Sequence, residues 1–360
     1  MTHSSASEVT IQDFDPSVHP KQMSQLGALE VVWERDLSSA NARLLTVQSV
    51  DGVLEGCALL TARSAGAYVK ISSVLACSEQ QRKRVVSEVL NVAQRQRLAS
   101  VKWELWTEDP QHFAVAQALG FERLPSPRRA GQDAGSAPVV GLVHWLHPAQ
   151  YLQAPHYQQS ENFTCAAVAS LTAHHETSSI QTLEELRIAE LLLWRQATNF
   201  MACEPIELGL TLTQRWPQSQ VKVWLDTDQP VMVDYYPEAE RDWREILQRQ
   251  SRLRAQAEGL DISTQRLGIG EIKDAVANGA RVLLLVSLDK MLGFDVPHWV
   301  LCHGVTGTAK NPVLVIEDSW VNQSSSESWV DATCLPVVPE ELDVMSVLES
   351  QRYRAALVLT

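Results

Sequence analysis

Two series of short apolar runs, separated by the stretch HPAQYLQAP (His147–Pro155), constrain this chain more than any other feature. The first series is Val9–Phe14, Ala42–Val50, Glu55–Thr61, Tyr68–Ala76 and Val101–Trp106, with Phe121–Leu124 at an edge and Val139–Leu146 at the end. The second is Val221–Leu225, Val231–Asp234, Val282–Leu288, Trp299–Val305 and Val313–Glu317. Runs this short and this rich in β-branched residues read as strands, and strands must pair into sheets. Asp51-Gly52 supplies a hairpin turn between two of them.

Helical periods fall between the strands. Ser78–Leu98 carries Val85, Val86, Val89, Leu90 and Ala93 on one stripe, with Ser78 as N-cap and Glu79 in the first turn. Lys21–Trp33 reads as helix, and Gln111–Leu119 is closed by Gly120. Later come Cys165–His174, Leu183–Thr198, the long charged Glu238–Glu258, and Gly270–Asn278 closed by Gly279. The stretch Arg241–Glu258 carries both charge signs densely, which suits a surface helix or a lid. The pattern predicts an α+β chain of two domains, 1–150 and 151–360, with Pro125–Pro138 as a loop inside the first. A length of 360 residues gives each domain enough chain to bury its own core.

Charge excludes some functions. Thirty Lys+Arg against 43 Asp+Glu leave a net charge of −13, the wrong sign for a phosphate-binding surface. No apolar run approaches the ~20 residues of a spanning helix. The opening MTHSSASEVTIQDF has neither a basic nor an apolar leader segment. Neither nucleic acid nor membrane is expected as a partner, and the expected location is cytoplasmic. The six cysteines are scattered with no CxxC pair, so they read as thiols of a reducing compartment that pack like small hydrophobes. No metal and no cofactor are expected: zinc pairs are missing, and His144 and His147 lack acidic neighbours.

One cysteine stands apart. In QQSENFTCAAVASL (Gln158–Leu171), Cys165 opens an apolar helix, where unpaired N–H groups and the helix dipole stabilise a thiolate. Gln159, six residues earlier, offers a side-chain amide to a developing oxyanion, beside the N–H of Cys165. A thiol nucleophile needs a base. His174 and His175 lie nine and ten positions along the same helix and turn away from it. His298 opens the strand HWVLCHGV, and the following strand VLVIEDSW ends in Asp318, so two antiparallel neighbours can set imidazole and carboxylate side by side. His303, five positions on, has the opposite strand parity.

Gln159, Cys165, His298 and Asp318 occur in the order of a papain-type site. Through Q-S-E-N-F-T-C and P-H-W-V-L…V-I-E-D, the segment from Tyr151 to Thr360 resembles the bacteriocin-processing cysteine peptidases and their peptidase-like relatives. WRQATNFM (Trp194–Met201) and PHWV resemble a bacterial subgroup in which such a domain follows an acetyltransferase-like one. The resemblance implies a cysteine peptidase or amidase acting on a peptide or isopeptide bond, with a peptide or protein substrate. Deamidation and acyl transfer use the same machinery. The chain departs from the family at Ala166 (Gly in the family), at Asp318-Ser319 (Asp-Pro) and at Ala202-Cys203-Glu204-Pro205, where the subgroup is glycine-rich.

The order of elements over Val9–Leu146 and the segment QALGFERL (Gln117–Leu124) resemble the Gcn5-related N-acetyltransferases. That resemblance implies a glycine-rich loop whose backbone N–H groups hold the pyrophosphate of acetyl-CoA. Here the corresponding run is Gln81-Arg82-Lys83-Arg84-Val85-Val86, with Arg84 and Val86 at the glycine positions. The first domain is therefore expected to be a degenerate scaffold that docks a substrate or partner. Two further readings stay open: an inert adaptor, and an acyl-CoA N-acyltransferase with an altered cradle.

Overall fold

The computed structural model describes residues 8–128, 140–198, 201–322 and 326–360. Most of the loop expected over Pro125–Pro138, the first seven residues, and Asn199-Phe200 of the WRQATNFM stretch lie outside the described residues. The described chain divides into two compact units: residues 8–126, 140–148, 321–322 and 326–331 in one, and the remainder in the other. A single boundary at position 150 does not provide for the return of the 321–331 segment to the first unit.

The first unit runs β1 (Glu8–Asp13), α1 (His19–Met23), β2 (Arg43–Gln48), β3 (Leu54–Thr61), β4 (Tyr68–Ala76), α2 (Glu79–Arg95), β5 (Ser100–Leu105), α3 (Pro110–Ala118), β6 (Glu122–Arg123) and β7 (Val140–Trp145). Its sheet has the order β1-β2-β3-β4-β5-β7-β6. Only the β4–β5 pair is parallel, and its pairing runs from Tyr68↔Ser100 to Ile71↔Trp103, although both strands continue. Helix α2 is capped as its sequence predicts, Ser78 accepting from the Gln81 N–H at 3.2 Å. It buries Val85, Val86, Val89, Val92 and Ala93 against Leu45, Ala58, Ile71 and Trp103. Each of the four valines contributes about 1.5–3 kcal/mol. The helix expected over Lys21–Trp33 stops at Met23 and gives way to two 3₁₀ turns, Ser24–Leu26 and Val31–Glu34. Gly27 interrupts it, and the buried Trp33 is drawn off to donate its indole N–H to Ser73 at 2.9 Å.

Segment 326–331 is tied into this unit by buried charge. Lys70 Nζ lies 2.8 Å from Glu104 and 2.5 Å from Asp331. Tyr68 donates to Asp331 at 2.8 Å, Lys102 donates to the Val330 carbonyl at 2.8 Å, and Arg63 grips Glu327 with two bonds of 2.8 Å.

The second unit contains β8 (Gln150–Tyr151), α4 (Cys165–Ala173), α5 (Glu176–Ser179), α6 (Leu183–Ala197), α7 (Pro205–Arg215), β9 (Val221–Leu225), α8 (Glu238–Glu258), β10 (Asp261–Ser263), α9 (Ile269–Ala277), β11 (Arg281–Ser287), α10 (Asp289–Leu292), β12 (Pro297–Gly307) and β13 (Pro312–Glu317). A short helix α11 (Trp329–Ala332) leads back into it, followed by β14 (Leu335–Val337), α12 (Pro339–Met345) and β15 (Ala355–Leu359). The sheet order is β10-β9-β15-β11-β12-β13-β14, with β8 pairing β12 off this path. Helix α4 is buried along its whole length and packs with Leu283, Leu285, Trp299 and Leu301 of the central strands. Its residues Ala166, Ala167 and Ala169 are small enough to let it lie close to the sheet. Val231–Asp234 does not form the expected strand. Met232 adopts φ +58°, the Gln248 side chain bonds both the N–H and the C=O of Val231, and Glu349 takes the N–H groups of Met232 and Asp234.

Candidate active site

The first turn of α4 carries Cys165, 5% exposed. The N–H of Trp299 on β12 donates to the Cys165 sulfur at 3.5 Å. His298, the neighbour of Trp299, is 3% exposed and lies close enough to Cys165 to feel its charge. Its Nε2 lies 2.7 Å from Oδ1 of the fully buried Asp318. With Nε2 committed to the carboxylate, Nδ1 is the ring nitrogen left for the sulfur.

The antiparallel β12–β13 ladder, with Leu301 opposite Glu317, brings the start of one strand to the end of the other, and so His298 to Asp318. Asp318 is itself held: its Oδ1 accepts from the Trp320 N–H at 2.8 Å, and its own N–H donates to the Ala332 carbonyl at 3.1 Å. Burial alone would depress the His298 pKa, but the charges and hydrogen bonds of Asp318 and Cys165 outweigh it and lift the imidazole to about 10. The site therefore holds a proton on His298 through neutral pH.

Gln159 is clamped at both ends of its amide. Oε1 accepts from Ser319 Oγ at 2.8 Å, and Nε2 donates to the Glu161 carbonyl at 2.9 Å. Because Nε2 carries two hydrogens, one remains. The backbone is tied in parallel, the Gln159 N–H donating to the Ser319 carbonyl at 3.1 Å. Ser319, a departure from the family pattern, is thus the residue that fixes which way the Gln159 amide faces.

A second support was not foreseen in the sequence. Glu190 of α6, fully buried, accepts from Tyr157 Oη at 2.6 Å, from the Ser160 N–H at 2.7 Å and from Thr164 Oγ1 at 2.5 Å. Three positions on the loop between Gln159 and Cys165, or flanking it, converge on this one carboxylate. Helix period alone places Glu190 on the stripe of Leu186 and Leu193, which is the only hint that it points inward.

The remaining departures have structural roles. Ala166 is fully buried. Glu204 is the N-cap of α7, accepting from the N–H groups of Ile206 and Glu207 at 2.8 and 2.7 Å, with Pro205 at the first helical position. Cys203 is buried near Cys165, and its carbonyl accepts from the Trp299 indole at 3.0 Å. Burial pushes the Cys203 thiol well above its ordinary value, so it is no rival nucleophile.

Residues 154–360 match the model of the Peptidase_C39 like family. The chain belongs to that family. No match was found among curated proteins. Solved structures similar to the first part of this family member include an IAA acetyltransferase from Bacillus cereus ATCC 14579, 12% identical over 39% of this chain and 100% of that one, TM-score 0.30. An acetyltransferase from Bacillus subtilis in complex with CoA is 12% identical over 39% of this chain and 99% of its own, TM-score 0.30. A GNAT family acetyltransferase from Elizabethkingia anophelis with acetyl-CoA bound is 12% identical over 38% and 98%, TM-score 0.29. Residues 154–360 of this Peptidase_C39 like chain are thus its peptidase-like part. Among the described residues no helix is long and apolar enough to cross a membrane.

Proposed function

We propose that the second unit is a cysteine-dependent hydrolase of peptide or isopeptide bonds. The observation that carries this reading is the convergence of Cys165, His298 and Asp318: His298 is hydrogen-bonded to Asp318, its neighbour Trp299 donates to the Cys165 sulfur, and Cys165 acts on the charge of the imidazole. The Cys165 thiolate adds to the scissile carbonyl, and the carbonyl π pair moves onto oxygen. That oxyanion is met by the remaining Nε2 hydrogen of Gln159 and the N–H of Cys165. His298 delivers its Nδ1 proton to the departing amine as the C–N bond breaks. Water, deprotonated by the now neutral His298, then cleaves the thioester, which releases the acid and restores the thiolate beside a protonated His298. Asp318 orients the imidazole throughout and stays ionised.

An acyl-CoA transferase reading of the first unit finds less support. At the two cradle positions, Arg84 is spent in an ion pair with Glu55, and Val86 is fully buried in the core under α2. Both lie inside α2, past its first turn, where the helix takes the backbone N–H groups that a pyrophosphate would need. We assign this unit a docking role for a peptide or protein substrate.

The test is the rate of Cys165 alkylation by iodoacetamide against pH, followed by peptide mapping. An ion pair gives rapid labelling of Cys165 at neutral pH and below. Labelling that rises only near the ordinary thiol pKa of about 8.5 would remove the hydrolase reading.

A further inference from the structure

Beyond this site, a second cluster of chemical groups lies along the same two strands. His303 Nδ1 or Nε2, a Glu317 carboxylate oxygen and Cys334 Sγ all lie within 4.8 Å of one another, and all three residues are buried. Two backbone irregularities aim them. The β12–β13 register shifts between Cys302 and Gly304, so His303 is the extra residue of a bulge, and parity counting does not apply to it. Cys334 adopts φ +46° at the entry to β14.

The polar accounting at the cluster is incomplete. His303 is 3% exposed, yet its Nε2 has no hydrogen-bond partner among the described residues. Its Nδ1 accepts from the Leu152 N–H at 3.2 Å, a donor shared with the His303 carbonyl at 3.3 Å, so the ring hydrogen sits on Nε2. Glu317 is firmly placed: Oε1 lies 2.7 Å from His156 Nδ1, and Oε2 accepts from Thr333 Oγ1 at 3.0 Å and the Cys334 N–H at 3.1 Å. A buried imidazole with one ring nitrogen unsatisfied, beside a thiol and an anchored carboxylate, is an unusual arrangement for packing alone.

We propose that His303, Glu317 and Cys334 bind a divalent transition metal of the zinc type. The donor set of one nitrogen, one oxygen and one sulfur suits that class, and bonds of about 2.0–2.3 Å put tetrahedral donors about 3.3–3.8 Å apart, within the spacing seen. Metal binding places a positive charge beside Glu317 and displaces the Cys334 thiol proton to solvent. Ligation through Nε2 moves the ring proton to Nδ1 and leaves the Leu152 N–H to the His303 carbonyl, while the His156 and Thr333 contacts hold Glu317 in orientation. Because Glu317 directly precedes Asp318, the metal clamps the end of β13 from which the His298 partner projects. Spacing could not reveal it: the ligands are 14 and 17 positions apart on separate strands.

The test uses Co²⁺ added to the full chain freed of metal by chelation. One equivalent is expected to bind with a thiolate-to-cobalt absorption band. The band should persist in Cys165→Ser and disappear in Cys334→Ser and in His303→Gln. No uptake by the wild-type chain, or a band lost in Cys165→Ser but kept in Cys334→Ser, overturns the proposal, the latter placing the ion at the Cys165 site instead. Should the Cys334 and His303 variants not fold, the Cys165→Ser chain alone decides. Saturating Zn²⁺ should then raise its melting temperature by several degrees, and no rise overturns the proposal.

Discussion

The Ser319 hydroxyl donates to Oε1 of Gln159 across 160 residues of sequence, at 2.8 Å. Together with the Nε2 donation to the Glu161 carbonyl, this bond fixes the orientation of the amide, since an amide whose oxygen is claimed must present its NH₂ elsewhere. Ser319→Ala should therefore slow acylation of Cys165 by p-nitrophenyl acetate about tenfold. Gln159→Ala, which removes the donor outright, should slow it about 10²–10³-fold. Iodoacetamide alkylation generates no oxyanion, so its rate should be unchanged in both. Equal losses in the two assays would place Gln159 outside the oxyanion site.

The His298–Asp318 pair predicts a pH window. The His298 pKa is raised from 6.5 to about 10. Its imidazolium therefore contributes to stability fully below about 6.5, and the contribution is lost as pH rises through about 10. In Asp318→Asn the carboxylate charge is gone and burial again dominates, so the proton leaves at lower pH. With the imidazolium lost earlier, less positive charge holds the Cys165 thiolate, so the lower edge of the alkylation profile should move up by more than one pH unit, and melting temperatures should fall between pH 7 and 10 less steeply than in the wild type. An edge that does not move would show that Asp318 does not govern the His298 proton.

How far the sequence reveals this chain depends on the range of each interaction. Cys165 at a helix start, His298 at a strand start and Asp318 at the end of the next strand are local signals, and the antiparallel β12–β13 ladder joins the last two. The strands of the first unit and the Ser78 cap are likewise written in periodicity and capping chemistry. What escaped is long-range. Strand β15 takes the slot between β9 and β11 from the far end of the chain. Val231–Asp234 has strand-like residues, but its backbone groups are taken by Gln248 and Glu349, and Met232 turns left-handed. Glu190 and Asp331 are charged residues whose burial is set by partners far away in sequence, so a charge count reads both as surface.

Glu190 predicts a stability effect separate from chemistry. Glu190→Gln replaces one of the two carboxylate oxygens by a donor, facing Tyr157, Ser160 and Thr164, which all donate. At least one of those buried groups is then left without an acceptor, at about 1–3 kcal/mol. Urea unfolding should show that loss, with acylation of Cys165 slowed because the Gln159–Cys165 loop is loosened. An unchanged midpoint would mean the loop is held by other contacts.

The Lys70–Asp331 pair allows a sharper test of what fixes segment 326–331. Burial would strip the proton from Lys70, but Asp331 first and Glu104 next outweigh it and hold its pKa above the ordinary lysine range. Lys70 is thus a charged, buried ammonium whose neutralisation depends on two carboxylates, at 2.5 and 2.8 Å. Asp331→Asn takes away one of them and leaves the cation short of charge, which for a buried pair costs about 3–5 kcal/mol. The double variant Lys70→Met, Asp331→Asn removes the cation as well, and should recover a large share of that loss. Glu104 is then left without its ammonium but keeps the Ser328 hydroxyl at 2.6 Å, so the recovery should be incomplete. Denaturant midpoints of the two variants and of Lys70→Met alone complete the cycle. Additive losses would mean that the two groups do not interact, and that the segment is held by the Arg63–Glu327 pair and the Lys102 contacts instead.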